Sequence, residues 1–195
     1  MNAIFNKNTF LIKEKMGVFK AANNYDIFDA TNNEMILKCI EPNLGFFTKM
    51  FRFTDYKRMT PFDVHITTPE GKRLLTVRRG IAIFRSDVEV LGENNELIGT
   101  FSQKFWSVGG KFELFDKNNK GLCTLQGKWT GWDFKFNKDN KELAHVSKKW
   151  VGIGKEFFTS ADNYVLQIND SVPEESAVRQ MILAAVVCID MVLKE

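Results

Sequence analysis

Proline is scarce in this sequence, with four in 195 residues, so little interrupts regular backbone hydrogen bonding. Histidine is scarcer still. With only His65 and His145, and no Gly-x-Ser-x-Gly, Gly-rich phosphate loop, zinc-type spacing or Cys-His signature, the sequence offers no catalytic constellation. The expectation is a protein that is not an enzyme, and the sequence identifies no small-molecule substrate. The three cysteines, Cys39, Cys123 and Cys188, are odd in number and far apart. That spacing suits neither a disulfide framework nor a zinc site, and reads as buried, reduced thiols of a cytoplasmic protein.

Long apolar runs are nearly absent too. Met1 to Lys15 holds none of signal-peptide length, and Asn2 excludes myristoylation. The one extended run, Met181 to Val192, contains Asp190 and falls short of the roughly 20 residues a bilayer span needs. It reads as a buried core helix. A net charge of +3 permits contact with an anionic surface without demanding it, and is low for a nucleic-acid-binding domain.

What is present is apolar mass and local alternation. Apolar residues make up 44% of the chain, with 18 Phe against 3 Tyr and 4 Trp, enough for one sizeable core in a single domain over residues 1–195. Five pairs of alternating segments flank turns rich in Asn, Asp and Gly. Tyr25–Asp29 precedes Met35–Ile40, Phe62–Thr67 precedes Arg73–Arg79, and Val88–Leu91 precedes Leu97–Gln103; Phe112–Phe115 precedes Leu122–Gly127, and Trp132–Asn137 precedes Glu142–Lys148. Asn, Asp and Gly tolerate the positive φ of tight hairpin turns. Phe62, Val64 and Ile66 alternate with Asp63, His65 and Thr67, which predicts one buried and one wet face, with His65 turned to water. Trp132, Phe134 and Phe136 alternate with Asp133 and Lys135 in the same way.

Thr9–Lys15 and Tyr164–Ile168 bring the count to about twelve antiparallel strands, a sheet large enough that closing into a barrel removes its edges. The chain then changes period. Ser171-Val172-Pro173-Glu174 reads as a capping box with Ser171 as N-cap, and Lys194 suits the helix end. The helix between them is apolar around nearly its whole circumference, so it must be surrounded. A twelve-stranded barrel is wider than its own side chains can fill, and one helix could plug it.

The run Lys148-Lys149-Trp150-Val151-Gly152 leading to Ala161-Asp162-Asn163-Tyr164 and Gln167, with Cys188-Ile189-Asp190 near the end, resembles the phospholipid scramblase family. Arg79-Gly80, Ile98-Gly99, Gly109-Gly110-Lys111-Phe112 and Gly131-Trp132-Asp133-Phe134 fit that family's spacing. The resemblance spans roughly residues 10–195 and is strongest over 145–195. It implies the fold shared with tubby C-terminal domains and LURP-one-related proteins, a closed β-barrel around a central hydrophobic C-terminal helix.

The resemblance also implies candidate sites. The family's calcium segment falls on residues 160–171, where Asp162 and Asp170 are the carboxylates, Ser160 stands at the opening Asp position and Ser171 at the closing one. Calcium asks for six or more oxygens, and the same residues read as a strand entering a helix cap; no other cofactor is expected. The cysteine cluster palmitoylated in animal scramblases is replaced by Arg78 to Glu89 without cysteine, and the Pro-rich N-terminal arm is missing. Tubby domains bind phosphoinositides through basic barrel residues. By that resemblance Lys49, Arg52, Lys57, Arg58, Arg78 and Arg79 are candidate anionic-lipid ligands, beside the plainer reading that they solvate strand faces. Three functions are therefore carried forward: a non-catalytic binding or scaffold protein that meets anionic headgroups at a membrane surface, a lipid-translocating scramblase, and a nucleic-acid-binding module.

Overall fold

In the computed structural model, residues 2–15, 24–42, 61–80, 87–103, 111–128, 133–148 and 163–193 are described. After a single 3-10 turn, Ala3–Asn6, these residues form twelve strands and one helix. The strands are β1 (Thr9–Glu14), β2 (Tyr25–Asp29), β3 (Met35–Ile40), β4 (Phe62–Thr67), β5 (Arg73–Arg79) and β6 (Asp87–Leu91), then β7 (Leu97–Gln103), β8 (Phe112–Asp116), β9 (Gly121–Lys128), β10 (Asp133–Lys138), β11 (Lys141–Ser147) and β12 (Asn163–Ile168). Helix α1 spans Ala177–Leu193.

Each strand pairs antiparallel with its sequence neighbours, and β1 pairs with β12 to close the barrel. Closure leaves no edge strand open to another chain. Phe10, Ile12, Ile27, Leu37, Val64, Val77, Val90, Phe101, Leu114, Phe134, Val146 and Leu166 point inward onto α1, whose residues Met181 to Ile189 are each no more than 3% exposed. The all-round apolarity of α1 is thus satisfied by a wall of strands.

The turns explain the register. Thr68 N–H donates to Lys72 O at 2.8 Å while Gly71 N–H donates to Thr68 O at 3.0 Å. Gly92 with Asn95 and Glu96, and Asp116 with Asn119 and Lys120, repeat the same pair of bonds. Each of the three ends on a residue with positive φ, Gly71 (95°), Asn95 (63°) and Asn119 (62°), and each has a register shift beside it. This is a type I turn closed by a bulge, and only Gly or Asn sits comfortably at its left-handed position. The two-residue turn at Asp139 and Asn140 has both φ values positive (48° and 62°), a twist that matches the flanking strands.

Two local expectations are corrected. Thr67, expected on the wet face of β4, is buried, because the register shifts between Ile66 and Thr67. The helix does not begin after Ser171. Residues 169–176 form turns, in which Asn169 Oδ1 accepts Ser171 N–H at 2.9 Å and Glu175 takes φ 54°, a left-handed conformation that stops a right-handed helix from passing through it. Lys194 lies outside the described residues.

Candidate binding face

The up-and-down order sorts the connections by end. The hairpin turns after β2, β4, β6, β8 and β10 lie at one end, with the 3-10 turn and the approach to α1. The strand ends that flank residues 15–24, 41–61, 80–86, 104–111, 129–132 and 148–162 lie at the other. All four tryptophans, Trp106, Trp129, Trp132 and Trp150, belong by sequence to this second set of connections.

The turn end is sealed around Arg179, a side chain only 2% exposed. Its Nε donates to Val172 O and Pro173 O at 3.2 Å, Nη1 to Asn6 O at 3.2 Å and Lys7 O at 3.1 Å, and Nη2 to Val172 O at 2.8 Å. Burial pulls its pKa below the usual arginine value, while Glu174 and Asp170 act in the opposite sense. Asn6 Oδ1 accepts Glu175 N–H at 2.9 Å, so the N-terminal turn and the helix approach are tied together. Carbonyls that would start an earlier helix are instead held on the guanidinium. This lock was not anticipated from sequence, although a lone arginine two residues before Met181, at the mouth of an apolar run, was the visible signal.

The opposite rim is different. Tyr25 and Tyr164 meet there edge to face, with ring centroids 6.4 Å apart. Arg79 at the end of β5 is 4% exposed and lies over the Phe62 ring, 4.8 Å from its centroid. Glu41 is buried just beyond β3, and both Glu41 and Arg79 act electrostatically on Cys188 of α1. The interior of this rim is therefore polar and charged where the barrel's middle is apolar.

The residues predicted for anion recognition divide. Arg79 faces inward and is shielded from solvent, whereas Arg78 is exposed and paired with Glu89, Nε to Oε2, at 2.7 Å. Lys49, Arg52, Lys57 and Arg58 lie outside the described residues, in the connection between β3 and β4. Asp162 and Ser160 also lie outside them. Asp170 sits at the turn end, where its Oδ1 accepts Asn8 Nδ2 at 2.5 Å, with the whole of β12 separating it from Asn163. Among the described residues no group of three or more His, Cys, Asp or Glu side chains is close enough to hold a metal ion.

His65 Nε2 lies 3.3 Å from Asp63 Oδ1, and His145 Nε2 lies 2.6 Å from Asp133 Oδ1, both on the outer face. Cys39, Cys123 and Cys188 are free and buried. Desolvation raises all three thiols, Cys123 to about 12, so they stay protonated and poorly reactive.

The described strands and helix define the class: a closed, up-and-down barrel of twelve antiparallel strands threaded by one apolar helix. Its family follows from the sequence, since the family model described as Scramblase matches residues 3–195, and the chain belongs to that family. An X-ray structure of a protein from Arabidopsis thaliana has a similar fold, with a TM-score of 0.55 at 14% identity, covering 94% of this chain and 91% of that one. Among curated proteins none matches the sequence.

Proposed function

We propose that this protein is a non-catalytic binding or scaffold member of the scramblase family that recognises anionic phospholipid headgroups at a membrane surface. One observation carries the reading: the only strongly apolar helix of the described chain is enclosed by its own barrel. Among the described residues no helix is long and apolar enough to cross a membrane. A lipid-related family with its apolar helix used as core must meet lipid from outside, so headgroup recognition is favoured over translocation through that helix. Lys49, Arg52, Lys57 and Arg58, carried by one connection, together with exposed Arg78, are the proposed cationic contacts, with Arg79 supporting the rim from within.

Flotation of the intact protein with vesicles tests this. Binding to vesicles containing phosphatidylserine or phosphoinositide, weakening as salt rises past the range where the screening length falls below about 10 Å, is the expected result. No flotation with acidic vesicles at low salt overturns the reading.

A further inference from the structure

We infer that the groove between the β8–β9 and β10–β11 hairpin tips is a binding site for a small molecule carrying two phosphate groups. The inference goes beyond the headgroup reading, since none of its residues is among the proposed headgroup contacts. The groove exists because two strands part. β9 begins at Gly121 and β10 runs to Lys138, yet their pairing stops at Thr124 and Asn137. A register shift between Phe136 and Asn137, on the β11 side, bends β10 at the same place. The parted tips enclose an open groove of about 630 Å³, whose lining includes Leu122, Thr124, Asn137, Lys138 and Asn140. Small-molecule sites occupy about 300–1,000 Å³.

Charge says what fits it. Lys117 and Lys120 stand on one tip and Lys138 and Lys141 on the other, all exposed. Lys7, Lys15, Lys72 and Lys135 each pair with a carboxylate, whereas none of these four does so among the described residues. Lys138 and Lys141 face each other in register, and like charges directly opposite are destabilising, a cost that a bound anion offsets. The charge of Lys138 is also felt at Cys123, across the gap on β9. Two carboxylates oppose the four lysines. Asp116 Oδ1 accepts the N–H of Asn118 at 2.8 Å and of Lys120 at 2.9 Å, and Asp139 is exposed in the β10–β11 turn. Four positive and two negative charges leave +2 on the tips. Lys111 and Glu113, on the β8 side of the groove, carry opposite charges and are both engaged. Lysines on both sides of one groove suit an anion with a charged group toward each, and the amides of Asn137 and Asn140 add donors.

A phosphorylated metabolite and a phosphorylated headgroup offer the same chemistry, so the test has two arms. Inorganic pyrophosphate probes for a soluble ligand, and phosphatidylcholine vesicles with phosphatidylinositol bisphosphate probe for a headgroup. Calorimetry should detect pyrophosphate binding to the intact chain. The double change Lys138→Ala and Lys141→Ala should weaken it at least about tenfold, the effect of losing two charge-assisted contacts. Both side chains are exposed, and circular dichroism should show an unaltered fold. Asp139→Asn keeps a residue suited to the left-handed φ of 48° and should tighten binding about two- to fivefold. Lys72→Ala, whose lysine pairs with Glu93 on other hairpins, should bind as the wild type does. Weakening by the double change in flotation assigns the site to a headgroup; weakening in calorimetry alone assigns it to a soluble ligand. Binding of neither probe, or a double variant that binds like the wild type, overturns the site. The headgroup reading fails separately, by loss of flotation with phosphatidylserine vesicles while pyrophosphate binding persists.

Discussion

Replacing Arg179 by methionine keeps an unbranched stem but removes every donor to the carbonyls of Val172, Pro173, Asn6 and Lys7. Buried acceptors left without partners cost about 1–3 kcal/mol each before relaxation, so Arg179→Met should destabilise by about 3 kcal/mol in urea unfolding. Asp29 is a second residue with a measurable signature. Burial raises its pKa, but hydrogen bonds from Lys7 Nζ, Thr31 Oγ1 and Thr31 N–H outweigh burial and bring it from 3.8 to about 2. A carboxyl more acidic in the folded chain than in the unfolded one favours folding wherever it is ionised. That contribution is present above the ordinary carboxylate range and is lost as the pH falls from about 4 to about 2. Asp29→Asn should flatten this part of the stability–pH curve, which chemical denaturation at stepped pH would reveal.

Elements place their own demands. On β7 a Cβ at Gly99 would lie 2.2 Å from Phe115 O and 3.0 Å from Met181 Sδ, so the helix can approach the wall only because that side chain is absent. Gly99→Ala should cost about 2–3 kcal/mol, whereas Gly121→Ala, whose Cβ meets nothing within 4 Å, should stay within about 0.5 kcal/mol in the same thermal or urea measurement. Gly71→Ala should cost about 1–2 kcal/mol for a different reason, the left-handed φ of 95° that closes its turn. The strands were legible because period-two alternation and Asn/Gly turns are local signals: Phe62, Val64 and Ile66, or Phe134 and Phe136, fall where alternation puts them. The helix start was not. Ser171 and Glu174 satisfy a capping pattern, but the buried guanidinium of Arg179, which belongs to no local motif, claimed the Val172 and Pro173 carbonyls instead.

At the scale of the whole molecule, the barrel and its enclosed helix could be read from strand count and the apolar circumference of α1. The candidate site could be read only partly. Alternation cannot tell that Arg78 meets solvent while Arg79 turns inward onto Phe62, because which face of β5 is buried depends on the closed barrel. The account rests on α1 remaining inside the barrel while the protein is on a membrane. Cys188, fully buried on that helix, reports it directly. Maleimide labelling of the intact chain, mapped by mass spectrometry with and without phosphatidylserine vesicles, should find Cys188 unmodified in both and modified only in denaturant; rapid modification of Cys188 on vesicle binding would contradict the account.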